Sequence, residues 1–263
     1  MKSDAVQTCL PHHGRVECSA CYKNEGRPVH FDKTQRTLGQ WRITANPLAW
    51  GNTAPEIIVL GFSKGPTQAG ALATTPHDKI AYKGSRLNVG RILAHIGLLP
   101  KGEPASLAQA VDLAIANRNG RFHFASLIRC TVERLEAKTA QWKGSGGGML
   151  DKFTQSELGH EVVSACTSRF LGALPPTTKL VVMFGLGSKQ GYVNAAFSAY
   201  QHARPGAWRK LNEVSYTDGL ITVVHVEHFK SQGNLIPDWL GQQSSARAQL
   251  GVMAKQAVSA ALQ

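Results

Sequence analysis

The chain has no apolar run approaching the ~18 residues a membrane-spanning helix needs. Its first residues, Met1-Lys-Ser-Asp-Ala-Val-Gln-Thr-Cys9, lack the apolar stretch of a secretory leader. Together these absences predict a soluble, cytoplasmic protein with no membrane partner. Nor is there an even set of cysteines. Five cysteines without a leader argue against a disulfide framework and leave metal ligation or buried thiols. No internal repeat is present, and no Gly-Lys-Ser/Thr ending follows the glycine-rich loop at Gly61, which excludes a phosphate-binding P-loop. Acidic residues are scarce, 17 Asp and Glu against 29 Lys and Arg, for a net charge of +12. The excess is scattered along the chain rather than gathered in a tail. A polyanionic partner is therefore expected, held with an affinity that falls steeply with salt.

What is present suffices for a full-sized core: 263 residues, 43% of them apolar, predict one domain over residues 1–263. Four nearly continuous apolar runs read as strands covered on both faces: Glu56–Leu60, Phe122–Ile128, Lys179–Phe184 and Leu220–Val226. Between them lie helical patterns at Val89–Ile96, Leu107–Ile115, Glu157–Leu174 and Lys189–Tyr200. The alternation predicts an α/β fold, a three-layer α/β/α sandwich around a central four-stranded parallel sheet, with its ligand at the carboxyl ends of the strands. A closing helix over Ala246–Leu262 is expected to pack on the core, and Trp142-Lys-Gly-Ser-Gly-Gly-Gly148 reads as a flexible loop.

Four cysteines carry the most information. Cys18-Ser-Ala-Cys21 has a two-residue spacing that lets both thiolates face one metal centre across a turn. Cys130 is expected to end the second strand, and Cys166 lies in the third helical pattern. In this order, with Arg27 after the cysteine pair, a strand into the glycine-rich loop, and a late strand ending in His228, the chain resembles the iron-sulfur uracil-DNA glycosylases from about Cys18 to Trp239. The resemblance implies a 4Fe-4S cluster on Cys18, Cys21, Cys130 and Cys166, structural and electrostatic in role, with Cys9 spare. Zinc is the alternative, since an all-cysteine tetrahedral site suits both.

The same resemblance implies a pocket for an extruded base built from Gly61, Phe62, Ser63, Gly65, Tyr82 and Ser126. Tyr82 stands where the family stacks an aromatic ring on the base, and Ser126 where the family reads the uracil edge with an asparagine. A hydroxyl offers fewer and less directional hydrogen bonds than an amide, so selection looser than strict uracil specificity is expected, extending to other deaminated bases. Phe62 replaces the family's acid, and Asp78 is the nearby acid available in its place. His228 is the catalytic candidate, donating to the oxygen on which charge builds as the base leaves. Lys64, Lys230 and Ser231 are expected to contact DNA, with Leu235 as a wedge into the groove.

The activity implied is that of a monofunctional, monomeric uracil-DNA glycosylase of base-excision repair, acting on single- or double-stranded DNA to leave an abasic site. Loss of the loop acid favours an alternative, a catalytically weak or inactive binder of damaged or single-stranded DNA on the same fold. A third reading is a zinc-stabilised nucleic-acid-binding module without a base pocket.

Overall fold

The computed structural model describes residues 10–22, 28–144 and 149–263. Cys9, Arg27 and positions 145–148 of the expected flexible loop lie outside the described residues. In chain order the strands are β1 (Gly14–Arg15), β2 (Gln35–Leu38), β3 (Trp41–Thr44), β4 (Leu48–Gly51), β5 (Ile57–Gly61), β6 (Phe122–Ser126), β7 (Thr131–Glu136), β8 (Gln141–Lys143), β9 (Leu180–Phe184), β10 (Arg209–Asn212), β11 (Ser215–Thr217) and β12 (Thr222–Val226). The helices are α1 (Pro66–Ala69), α2 (His77–Ile80), α3 (Arg86–His95), α4 (Pro104–Ala116), α5 (Met149–Thr154), α6 (Glu157–Leu171), α7 (Gly191–Ala203), α8 (Leu235–Trp239) and α9 (Ala246–Ala261).

The expectation of a single four-stranded parallel sheet is overturned. One sheet has eight strands in the order β1-β4-β6-β5-β9-β12-β11-β10, and a second has four in the order β2-β3-β7-β8. The four apolar runs form the centre of the larger sheet, where β6, β5, β9 and β12 pair in parallel. Antiparallel strands extend it at both edges, and the second sheet is antiparallel throughout. Burial explains the difference. The central strands are buried along nearly their whole length and read as apolar runs, whereas edge strands such as Gln35-Arg-Thr-Leu38 and Arg209-Lys-Leu-Asn212 are largely exposed and polar. Trp142, expected in a loop, lies in β8. Cys130, expected at a strand end, sits in the bend between β6 and β7.

Local chemistry accounts for the helices that frame the site. α6 begins where the Ser156 hydroxyl accepts from the Gly159 N–H at 3.1 Å, and α9 where Ser245 accepts from Ala248 at 3.1 Å. The buried face of α6 carries Leu158, Val162, Cys166 and Phe170 at helical spacing, which turns the cysteine inward. Gly159 lets α5 approach, since a Cβ there would meet the Phe153 carbonyl oxygen at 1.7 Å. Phe153 thereby reaches the core and packs edge-on against Trp41 and Phe62. At the other end of the chain, α9 packs on β12 and α8. Among the described residues no helix is long and apolar enough to cross a membrane.

Candidate active site and metal centre

At the carboxyl edge of the parallel strands, β5 and β6 end side by side with Gly61 opposite Ser126. Here lies a narrow cavity walled by the rings of Trp50, Tyr82, Phe124 and Phe229, with Ser63, Gln68 and Ser126 supplying polar atoms. Among the described residues no charged side chain lines it. Its free volume, about 10 Å³, is that of about one water, less than a base occupies. Gly61 keeps the floor open, because a Cβ there would sit 3.8 Å from the Ser126 hydroxyl. Ser63, Gln68 and Ser126 make no side-chain hydrogen bond among the described residues, which leaves their donors and acceptors to a guest.

Tyr82 is held in the left-handed region at φ 52°, a conformation that costs a bulky residue about 1 kcal/mol or more and clusters at functional sites. Its ring meets Phe124, Phe184 and Phe229 edge-on at 6.1, 5.7 and 5.0 Å between centroids. Its hydroxyl is buried without a hydrogen-bond partner, and burial pushes its pKa up.

His228 follows β12 and is half-buried, stacked on Phe229 at 4.4 Å. Burial, helped by the charge of Lys230, pulls its imidazole pKa down to about 4. The Lys230 backbone N–H donates to its Nδ1 at 3.2 Å. A neutral ring that accepts at Nδ1 carries its proton on Nε2, so His228 is a neutral donor. The loop around it is gathered by Glu227, whose buried carboxylate accepts from the His228 N–H at 3.0 Å, from the Ser231 hydroxyl at 2.6 Å and from the Arg247 guanidinium of α9. Lys230 Nζ crosses to the glycine loop, 3.4 Å from Thr67 Oγ1.

Several expected residues stand elsewhere. Phe62 turns into the core against Phe153 and Tyr192, away from the cavity lined by its neighbours Gly61 and Ser63. Gly65 does not line that cavity; its side-chain position faces Lys230 Nζ. Asp78 is engaged by His13 at 2.6 Å and is not among the lining residues. The expectation that Lys64 meets phosphate is corrected: the side chain is 2% exposed and its amine donates to the Arg129 carbonyl oxygen. Leu235 is exposed at the start of α8. Sequence reasoning passed over Trp50, Gln68 and Arg247, which reach the site through tertiary packing; Glu227, an acid directly following an apolar strand, enters that reasoning only as part of a metal site with His225 and His228.

The cysteines arrive from three places. Cys18 and Cys21 lie in the amino-terminal segment, Cys130 in the bend after β6, and Cys166 on α6; the last three are buried. Arg36 ties two of these places together, with a two-pronged pair to Glu161 of α6 at 2.7 and 2.6 Å and a bond to the Cys21 carbonyl at 3.0 Å. The neighbouring Cys21 thiol, together with burial, holds the Cys166 pKa well above the ordinary thiol value. Burial likewise pushes Cys130 up. The Tyr22 hydroxyl is buried near these thiols without a hydrogen-bond partner.

Among the described residues no three His, Cys, Asp or Glu side chains stand close enough to hold a metal ion. The surroundings nonetheless fit an anionic centre. Lys64 and Arg129, each 2% exposed, are buried cations beside the thiols, and neither has an ion pair among the described residues. Arg129 keeps one buried nitrogen unbonded and lies over the Phe170 ring at 4.7 Å. Burial pulls Lys64 down to about 8 and Arg129 to about 10. Two unpaired buried cations are costly unless negative charge stands near them, and thiolates on a metal centre supply it.

Comparison of the chain with protein-family models and with curated proteins finds no match.

Proposed function

We propose that the chain is a DNA glycosylase that takes one deaminated base, uracil first among them, out of the strand and hydrolyses its N-glycosidic bond. The observation that carries this reading is the chemistry of the cavity: aromatic walls, no charge, and three neutral polar side chains without partners. Such a lining suits a flat, neutral heteroaromatic ring, and it does not suit a phosphate or a sugar acid. The resemblance of the cysteine and histidine motifs supports the same reading, as does the net charge of +12.

Gln68 supplies the edge contact that Ser126 lacks. A side-chain amide presents an acceptor beside a donor, the complement of the N–H and C=O that stand side by side on uracil, hypoxanthine and xanthine alike. Tyr82 and Phe229 flank the ring. As the glycosidic bond breaks, its electron pair passes to the base, and the neutral Nε2–H of His228, which stacks behind the wall residue Phe229 rather than lining the cavity, would donate to the oxygen that gains the charge. Water then adds its hydroxide to the sugar cation, and its remaining proton balances the charge on the departed base. The cation itself is stabilised by the strand's own phosphates. Cys18, Cys21, Cys130 and Cys166 would hold a 4Fe-4S cluster, with zinc as the alternative. Such a group would supply negative charge for Lys64 and Arg129 and tie the amino-terminal segment to α6. On this reading the enzyme acts in the cytoplasm as a monomer.

A second reading has its own observation. Among the described residues no carboxylate lines the cavity to order a water, since Phe62 faces the core and Asp78 pairs with His13. This favours a slow or inactive binder of damaged strands. Base release from a labelled oligonucleotide carrying one uracil, single- and double-stranded, beside hypoxanthine and undamaged controls, separates the two. Release confined to damaged strands supports the enzyme; binding without release supports the binder.

A further inference from the structure

A second and roomier cavity, about 190 Å³, opens beside the first. Its apolar floor is made by Phe31, Leu48 and Ile80, and its rim by Arg15, Thr75 and His77. The two cavities share a partition. Trp50, which lines the first, stacks on His77, which lines the second, at 4.9 Å and 18°. Leu48 and Trp50 are two residues apart on β4 and so point to one face of the sheet, about 7 Å from each other.

The charge at the rim is positive and available. Arg15 is exposed, lies over the Phe31 ring at 4.3 Å and has no carboxylate partner among the described residues. The exposed Arg118 is near enough for its charge to act on His77. Of the acids beside it, Asp78 pairs with His13, and Asp32, next to Phe31, accepts from the Asn46 side-chain amide at 2.9 Å.

We propose that this cavity receives the base of the nucleotide adjoining the one whose base enters the first cavity, stacked at Phe31, with Arg15 on its phosphate. This inference rests on the glycosylase reading. It makes flanking sequence and strand continuity part of recognition.

The test uses the full chain and oligonucleotides with one uracil, flanked on one side or the other by a tetrahydrofuran that lacks a base. Removing the neighbouring base on one side is expected to weaken binding about tenfold, on the scale of one lost base stack. Phe31→Ala should weaken binding of the intact strand by the same factor and add nothing on the base-less one. Arg15→Gln, at an exposed position that leaves the core untouched, should weaken binding and flatten its salt dependence. If uracil is released but neither flank matters, the second cavity is not a strand subsite and the glycosylase reading stands. If the strand is neither bound nor cut, that reading fails and this one with it. Binding of free deoxynucleoside monophosphate that is lost in Phe31→Ala, without any flank effect on the strand, would overturn the proposal in favour of a mononucleotide site.

Discussion

The backbone N–H of Lys230 donates to Nδ1 of His228 at 3.2 Å and so selects the tautomer with its proton on Nε2. The consequence is a pH profile. Free imidazole takes a proton below about 6.5, whereas burial lowers this ring to about 4. Base release should therefore stay flat from about pH 8 to about pH 5 as far as His228 is concerned. A rate that halves near pH 6.5 would sink the neutral-donor assignment. Stability moves differently. Between about 6.5 and 4 the unfolded chain binds the proton that the fold excludes, so this contribution is complete above about pH 6.5 and is lost as the pH falls toward 4. His225, lowered to about 4 by burial, acts in the same direction. Thermal melts across that window read the stability, and single-turnover release reads the rate.

His228→Ala should reduce release about 10²–10³-fold, the scale of one lost donor to a developing oxyanion, with strand binding largely kept. An equal loss of binding would mark the residue as a contact rather than a donor.

Arg247→Ala removes the α9 cation from the buried carboxylate of Glu227. His228 and Ser231 still donate to that carboxylate, so the expected destabilisation is about 2 kcal/mol, read in a denaturant titration. Release should fall further than stability implies, because the His228 loop loses its anchor. Loss of stability alone, with the rate unchanged, would make the pair purely structural.

Gln68→Leu keeps the bulk and removes the amide. Uracil and hypoxanthine release should both fall about 10–100-fold, the discrimination carried by one paired edge contact. Unchanged release of both would show that the amide does not read the base.

Lys64→Met gives a result whose sign depends on the metal centre. If four thiolates stand nearby on iron or zinc, losing the buried cation lowers thermal stability and metal retention. If the thiols are free, the substitution removes an unpaired buried charge and raises the melting temperature. Iron, sulfide and zinc analysis of the wild-type chain, purified without oxygen, identifies the centre. Cys166→Ser should abolish metal binding.

Much of the interior was legible, because burial on both faces leaves a strong trace. The runs at Ile57–Gly61 and Leu180–Phe184 are apolar nearly throughout, Thr222–Val226 is broken only by Thr222 and His225, and α3, α4, α6, α7 and α9 fall where helical spacing places them. The short strands at the edges were not legible. Arg209-Lys-Leu-Asn212 becomes a strand by pairing with β11, and nothing in four largely polar residues announces that partner. For the candidate site, Gly61, Ser63, Tyr82 and Ser126 line one cavity, while Phe62, expected with them, and Lys64, expected on phosphate, do not. Alternation decided the latter pair: one residue's shift in an extended segment turns a side chain from cavity to core.

The amino-acid sequence by itself determined the apolar strands, the helical faces, the basic charge and the four cysteines, because each is a property of composition or of short-range periodicity. Only the tertiary structure decided that Lys64 and Arg129 are buried together beside the thiols, that Gln68 faces the cavity from α1, and that α9 steadies the His228 loop through Arg247. These relationships join residues distant in the chain, and the burial that sets their charge and their freedom exists only once the elements have packed.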